Sequence, residues 1–316
     1  MFTAANNMSP SVNPSPQRVP GRAVFKSFDS GRWPLARTSP KGWLVNHFQP
    51  ISLKQLNATA DMLERLDNKY VVGETLLRSA LVELSRHFDI LEIDGKRCFT
   101  YETCYFDDPA KTSYFDHHRE RRQRCKVRVR KYTDAQLCFV EVKLKTKRLI
   151  TIKKRLECAV DKYGTLDEAA WAHIRSSYRN LYGRDFNQEL QPAVEMRYQR
   201  MSLVAKDGGE RMTIDFDMVF SAAGRSCSID ENTFIVETKS ANGNGIADKI
   251  LRALHQHPTM PCSKYCVAMA ALQQVAKRNK FLPVLRKLDA APSSNGASPA
   301  KKSAASRPRS SSTCWA

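Results

Sequence analysis

The sequence lacks any apolar stretch of the ~20 residues that a membrane-spanning helix requires. It also lacks the hydrophobic core that a secretory signal peptide carries near its first residue. These absences argue against a helical membrane protein and predict a soluble, cytoplasmic one. Such a protein can still dock on an acidic membrane surface through its positive charge.

Paired cysteine motifs are also missing. The chain has nine cysteines but no CxxC pair, and the closest spacing, between Cys262 and Cys266, has no second pair to complete a tetrahedral zinc site. Most of the cysteines fall in apolar, strand-like segments, where a free thiol packs as a small hydrophobic group. We therefore expect reduced thiols, as in most cytosolic proteins.

Acidic residues are scarce relative to basic ones. The chain has 51 lysines and arginines against 32 aspartates and glutamates, which gives a formal net charge of +19. Such an excess indicates an anionic partner: nucleic acid, an acidic membrane surface or phosphate itself. The net charge alone does not distinguish among these three.

The composition divides the chain into three parts. Residues 1–45 are rich in Pro, Ser, Asn and Arg without sustained periodicity, which predicts a disordered N-terminal segment. Residues 288–316 similarly predict a disordered basic tail. The remaining residues, 50–287, form the predicted folded domain, and 42% hydrophobic residues overall are enough for a sizeable core.

Strand patterns dominate this folded part. The predicted helices are 74–88, 166–181, 246–254 and 263–277, and the predicted strands are 69–72, 97–106, 123–132, 136–145, 149–158, 193–204, 211–220 and 233–239. Many antiparallel strands with few helices predict an α+β fold built on a barrel or a strongly curved sheet.

Three consecutive strands each have one strongly basic face. Side chains two residues apart on a strand point the same way, so the alternation can be read directly. The charged faces hold Arg124, Lys126, Arg128 and Arg130 on the first strand, Glu141, Lys143 and Lys145 on the second, and Lys153 and Arg155 on the third.

These basic faces have two interpretations. One is a face that binds an anion, and the other is a face that is simply solvated, because a sheet with one apolar and one solvated face shows the same pattern. However, like charges opposite one another across strands are unfavourable without an anion between them, and eight of the thirteen residues in 119–131 are Lys or Arg. Glu141 beside Lys143, and Glu237 beside Lys239, add carboxylates of the kind that Mg²⁺ or Mn²⁺ needs to bridge phosphate oxygens. We therefore favour an anion-binding face with these two glutamates as metal ligands.

The chemistry that suits such a face is phosphoryl transfer. This reaction needs positioning and charge neutralisation more than a covalent nucleophile. The scattered histidines form no recognisable triad, so a nucleophilic side chain is not predicted.

An ordered set of short motifs resembles the VTC domain, the polyphosphate polymerase branch of the triphosphate tunnel metalloenzymes. The motifs are RLDNKYVV, YETCYFDD, KVRVRKY, FVEVKLK, IKKR, YQR, IVETK and SKY, and they span about residues 63–272. The resemblance implies a closed antiparallel β-barrel tunnel with flanking helices. It also implies transfer of the ATP γ-phosphate onto a growing polyphosphate chain with Mn²⁺ or Mg²⁺.

The resemblance assigns roles residue by residue. It implies phosphate contacts for Lys69, Arg128, Arg130, Lys143, Lys153, Lys239, Ser263 and Lys264, and metal binding by Glu237. Two positions depart from the pattern. Glu195 stands where some members carry an arginine, which leaves Arg197 as the substitute on the same face. Thr213 stands where an arginine can occur, with Arg211 as the nearest cation on that face.

Two other functions fit parts of the sequence. Related tunnel enzymes hydrolyse triphosphate or nucleoside triphosphates, usually with a first strand of ExExK type, whereas residues 65–69 read RLDNK and fit the polymerase branch better. A nucleic-acid-binding protein would use exposed aromatic side chains such as Tyr101, Tyr105 and Phe106 beside its basic residues. The preferred partners are ATP and polyphosphate, with no specific nucleic acid.

Overall fold

The computed structural model describes residues 41–59, 66–148, 150–288 and 291–292. Within them, the helices are α1 (Gly42–Val45), α2 (Leu53–Thr59), α3 (Glu74–His87), α4 (Thr112–His118), α5 (Glu168–Tyr182), α6 (Ile246–Ala253), α7 (Lys264–Ala271) and α8 (Leu282–Leu288). The strands are β1 (Gln49–Ile51), β2 (Leu66–Gly73), β3 (Phe88–Leu91), β4 (Phe99–Asp107), β5 (Arg124–Tyr132), β6 (Leu137–Lys145), β7 (Thr151–Cys158), β8 (Gln191–Ala205), β9 (Arg211–Ala222), β10 (Arg225–Ser228), β11 (Thr233–Ser240) and β12 (Ala291–Pro292). No helix in these ranges is long and apolar enough to cross a membrane.

One sheet contains all of these strands. Its main run follows the order β7-β6-β5-β4-β8-β9-β11-β2, and every neighbouring pair in the run is antiparallel. The run curls so that charges on β6 lie near charges on β11 and β2. In the described residues no strand pairing joins β2 to β7, so the antiparallel, curled sheet is confirmed and its closure into a barrel is not. The free edge of β2 is instead bonded by Thr259, whose N–H donates to the Lys69 carbonyl oxygen at 2.6 Å.

The predicted elements are all present with shifted ends. The largest difference concerns the last helix, which was predicted over 263–277 and ends at Ala271 in the structure. Gln273 adopts a left-handed φ of 55°, which ends the helix. The short elements α1, α2, α4, α8, β1, β3, β10 and β12 were not predicted.

Both predicted disordered segments overlap ordered structure. Helix α1 lies within 1–45, and its Leu44 is fully buried in the core. At the other end, Leu288 is buried at the end of α8, and β12 pairs with β10. The rest of these two segments, residues 1–40, 289–290 and 293–316, lies outside the described residues.

Helices cover both faces of the sheet. On the outer face, α5 packs on β5 and β6, while α3 and α6 pack on β2, β9 and β11. Helix α7 instead packs against the inner, concave face, where it contacts apolar side chains of β2, β8, β9 and β11. The inner face is therefore partly apolar and covered by α7, and its charged side chains lie beside this contact.

Asp248 on α6 joins the outer faces of β2 and β11. This fully buried carboxylate accepts hydrogen bonds from Asn68 Nδ2 at 2.9 Å, the Tyr70 hydroxyl at 2.6 Å, the Thr238 hydroxyl at 2.8 Å, the Ser240 hydroxyl at 3.4 Å and Gly245 N at 3.0 Å. Because it binds residues next to Lys69 and Glu237 in the chain, it fixes the two strands that carry them.

Replacing Asp248 with Asn is expected to lower the free energy of unfolding by about 2 kcal/mol, because the amide turns a buried acceptor into a donor that faces other donors. Urea unfolding measures the change. The matched control is Asp207→Asn at an exposed position, and an equal effect of the two substitutions would contradict the role of Asp248.

Candidate active site

Glu237 lies between two lysines at the junction of β2 and β11. It is opposite Lys69 in the strand register, with Lys69 Nζ 3.8 Å and Lys239 Nζ 3.4 Å from its Oε1. Burial alone would raise the pKa of Glu237, but Lys239 and Lys69 outweigh it and hold that pKa well below its usual range. The carboxylate is therefore ionised.

Asp215 on β9 forms a second cluster beside the first. Arg200 donates to it through Nε and an Nη atom at 2.6 and 2.7 Å, and Lys264 Nζ, from the start of α7, lies 2.6 Å away. Burial would raise the pKa of Asp215, but Arg200 and Lys264 lower it to about 2. The aspartate thus fixes two cations from different elements at one point of the inner face.

Glu141 on β6 is engaged by cations at both oxygens. Arg128 Nε lies 2.6 Å from Oε2, and Lys153 Nζ contacts Oε1. Burial would raise the pKa of Glu141, but Arg128 and other nearby cations hold it well below its usual range. Because this side chain is fully buried and both oxygens face cations, the predicted role of Glu141 as a metal ligand does not fit. Its geometry is that of an anchor for Arg128 and Lys153.

Arg130 lies two residues after Arg128 on the same face of β5 and is oriented by hydroxyl groups. Its Nε donates to Thr103 Oγ1 at 3.2 Å and its Nη2 to the Tyr198 hydroxyl at 2.9 Å. Tyr198 stacks on Tyr101, with 5.5 Å between ring centroids. Arg128 and Arg130 are thus held rigidly, side by side on the inner face.

The aromatic side chains of β4 do not form an open platform. Tyr105 and Phe106 are buried, and Tyr105 accepts a hydrogen bond from Arg128 Nη1 at 2.8 Å. A nucleic-acid-binding surface built on stacking needs exposed rings. These two residues therefore do not support the nucleic-acid interpretation.

Lys126 and Lys143 face each other across β5 and β6. Lys126 Nζ donates to Ser263 Oγ at 2.8 Å and to His117 Nδ1 at 3.0 Å. Burial, together with Lys126, lowers the pKa of His117 to about 2, so this ring is neutral and can accept. Burial, and then Arg128, lowers the pKa of Lys143 to about 7.

One predicted phosphate-binding residue lies on the wrong face. Arg197 points to the outer face, where its Nε is 4.0 Å from Glu102 Oε1. The inner face of this part of β8 is formed by Met196 and Tyr198, which belong to the apolar cluster around α7. Glu195 also lies on the outer face. Arg197 therefore does not supply the inner-face cation that the resemblance implied for this part of β8.

The other predicted residues lie on the inner face or at its edge. Arg211 is opposite Lys239, and Thr213 is opposite Glu237. Arg200, Asp215 and Lys126 also belong to the site, although they were not among its predicted phosphate-binding or metal-binding residues. Arg200 is the last residue of the YQR motif, and Lys126 lies on the basic face predicted from side-chain alternation. The sequence therefore held a signal for each of them.

A divalent cation fits Glu237 better than it fits Asp215 or Glu141. Both lysine contacts involve Oε1, and no hydrogen bond or ion pair among the described residues engages Oε2. The described part of the chain contains no group of three or more His, Cys, Asp or Glu side chains placed to hold a metal. Mg²⁺ and Mn²⁺ accept such a site when substrate phosphates complete the ligand set.

Comparisons with solved structures show distant similarities. A Bacillus halodurans protein described as a candidate adenylate cyclase shares 10% identity over 64% of this chain and 95% of its own, with a TM-score of 0.42. HpAC1 from Hippeastrum, described as a candidate adenylyl cyclase with a dominant triphosphatase activity, shares 12% identity over 65% of this chain and 95% of its own, with a TM-score of 0.41. The S. pombe RNA triphosphatase Pct1 shares 14% identity over 60% of this chain and 65% of its own, with a TM-score of 0.22.

No curated protein matches the chain. The model of the VTC domain family matches residues 64–273, which is more than half of the chain. This range includes every element from β2 to α7, and thus all the inner-face charges described above. The resemblance seen in the motifs is confirmed, and the chain belongs to the VTC domain family.

Proposed function

We propose that this protein is a polyphosphate polymerase that transfers the γ-phosphate of ATP onto a growing phosphate chain on the inner face of its sheet. The observation that carries the proposal is the meeting of cations from β2, β5, β7, β8, β11 and α7 on that face, where three carboxylates each hold two of them. Membership of the VTC domain family supports the same activity.

The fixed cations would bind and orient the triphosphate. Arg128 is held by Glu141, and Arg200 and Lys264 by Asp215, so their positions are set before substrate arrives. Preorganised cations stabilise the charge on a transferring phosphoryl group without reorganising during the reaction. A divalent cation held by Glu237 would supply further charge neutralisation between phosphate oxygens.

The three carboxylates that hold these cations favour transfer to phosphate over hydrolysis. Cations lower the pKa of Glu237, Asp215 and Glu141, which makes each of them a weak base. Burial, and then Glu102, raises the pKa of Glu195 to about 7, but that side chain lies on the outer face. An incoming phosphate chain is already anionic and needs no base, whereas water does.

The assay that tests the proposal incubates the purified full-length chain with ATP and Mn²⁺ or Mg²⁺ and separates products by gel electrophoresis. We expect long phosphate polymer together with ADP. Orthophosphate as the sole product would indicate the hydrolase, and ADP without polymer would also contradict the polymerase.

The affinity for phosphate chains is expected to fall as the pH rises from about 6 to 8. Lys143 has a pKa near 7 in the free protein, so it is charged below this pH and increasingly neutral above it. Because a bound anion favours the charged form, binding at pH 7.5 should take up protons. Calorimetry of tripolyphosphate binding in two buffers of different ionisation enthalpy measures this uptake.

Lys143→Met should reduce both the proton uptake and the pH dependence. An unchanged uptake in this variant would show that another group titrates on binding. The exposed Lys154→Met on the adjacent strand is the matched control.

A further inference from the structure

Lys143 on β6 has no partner for its amine, unlike most lysines of the inner face. Five other lysines of this face are each held by a carboxylate or a hydroxyl group; they are Lys69, Lys126, Lys153, Lys239 and Lys264. Among the described residues, no hydrogen bond or ion pair engages the Lys143 side chain, which is half-buried. Its Nζ is therefore available to a molecule that enters the inner face.

Cations stand on both sides of Lys143. It is opposite Lys126 on β5 and opposite Lys153 on β7 in the strand register. Arg128 follows Lys126 on the same face of β5. Like charges opposite one another across strands are unfavourable. An amine in the middle of such a row relieves the repulsion by giving up its proton.

The charge state of Lys143 follows from these surroundings. Burial, and then Arg128, lower its pKa to about 7, and Lys69 acts in the same direction. Glu237 on β11 and Asp67 on β2 oppose this shift but do not cancel it. At pH 7.5 a large fraction of the Lys143 amine is therefore neutral, whereas about one in a thousand amines is neutral for a lysine side chain in water.

A neutral amine beside fixed cations suits attack on an electrophile that carries a phosphate group. The lone pair of the neutral amine makes it a nucleophile. Glu141 holds both Arg128 and Lys153, so these two cations have set positions and the Lys153 amine is itself occupied. Cations in such positions bind a phosphate group and stabilise its charge when it leaves.

Acyl phosphates combine the two features that this arrangement selects. Their carbonyl carbon is an electrophile, and a single oxygen joins it to a phosphate group that is a good leaving group once cations neutralise its charge. Binding of that phosphate between Lys126, Arg128 and Lys153 would bring the carbonyl carbon next to the Lys143 amine, since this residue lies in the same row.

We propose that Lys143 is a modification site that small acyl phosphates acylate without a further enzyme. The Lys143 Nζ lone pair forms a bond to the carbonyl carbon, and the bond from that carbon to the bridging oxygen breaks. The phosphate leaves with that electron pair as inorganic phosphate, and the amine gives its proton to solvent. The product is an amide that can no longer be charged. This inference goes beyond the proposed phosphoryl transfer and does not depend on it.

The test incubates the full-length protein with acetyl phosphate at pH 7.5 and follows acetylation of each lysine by mass spectrometry. We expect Lys143 to react at least about tenfold faster than the exposed Lys154 on the adjacent strand. Saturating tripolyphosphate should slow the reaction of Lys143 at least about tenfold and leave that of Lys154 unchanged, because it occupies the same cations and recharges the amine.

A second reagent separates guidance by the cations from nucleophilicity alone. The N-hydroxysuccinimide ester of acetic acid carries the same acyl group without a phosphate, so the ratio of the Lys143 rate to the Lys154 rate should be at least about fivefold smaller with it. Lys126→Met should slow acetylation of Lys143 by acetyl phosphate, since it removes a phosphate-binding cation that also disfavours the charged amine. Lys54→Met, at an exposed position, is the matched control.

Reaction of Lys143 no faster than that of Lys154, or a ratio of rates that is equal for the two reagents, would overturn the proposal. Failure of tripolyphosphate to protect Lys143 would do the same. A protein that makes no polymer from ATP but is acetylated selectively at Lys143 would retain the modification site and lose the polymerase assignment.

Discussion

Replacing Glu237 with Gln should reduce the metal-dependent turnover by at least about 100-fold while the protein remains folded. The substitution keeps the size of the side chain and removes the charge of a carboxylate whose two lysine contacts both involve Oε1. Initial rates over a range of Mn²⁺ concentrations measure the effect. A weakened ligand should shift the metal dependence to higher concentration as well as lower the maximum.

Glu157→Gln is the matched control, because it removes an exposed glutamate from β7 of the same sheet. It should leave both the rate and the metal dependence unchanged. Circular dichroism should show that Glu237→Gln is folded, and its thermal unfolding should occur at a lower temperature, because the buried Lys239 Nζ loses its counterion. Unaltered metal dependence in Glu237→Gln would remove this residue from the site.

Replacing Asp215 with Asn should destabilise the protein by about 3–5 kcal/mol, the largest stability effect expected at this site. Asp215 is fully buried and neutralises both Arg200 and Lys264. Without its charge, two buried cations face each other with no counterion. Turnover should fall too, because both cations lose their fixed positions. Urea unfolding and steady-state rates measure the two effects.

The stabilisation by Asp215 depends on pH in a defined direction. Its folded-state pKa of about 2 is below the value of about 3.9 for an unfolded chain. The stabilisation is therefore complete above pH ~4 and is lost as the pH falls towards 2. Asp215→Asn should lack this part of the acid transition. The partly exposed Glu83→Gln, on α3, is the control and should cost less than about 0.5 kcal/mol.

Much of the inner face was predictable because strand periodicity is a local property. The basic face of β5 and its neighbours on β6 and β7 follow from alternation alone, and the register confirms that they share a face. The family motifs then supplied the more distant members, Lys69, Glu237 and Lys264. What these positions do in catalysis stays a prediction.

The failures have a physical origin in packing. The family pattern suggested Arg197 as a phosphate-binding substitute for an arginine at the position of Glu195, but α7 packs on the inner side of this part of β8, which is therefore apolar. Closure of the barrel was also beyond sequence analysis, because it depends on hydrogen bonds between strands about 80 residues apart in the chain. The role of Glu141 as an anchor required knowledge of its distances to Arg128 and Lys153.

The edge of β2 that faces away from β11 is bonded by the segment before α7. Thr259 N donates to the Lys69 carbonyl oxygen at 2.6 Å, and Val71 N donates to Thr259 Oγ1 at 3.4 Å. An edge strand whose main-chain groups already have partners is a poor template for pairing with a second chain. These two hydrogen bonds therefore protect β2 against edge-to-edge aggregation.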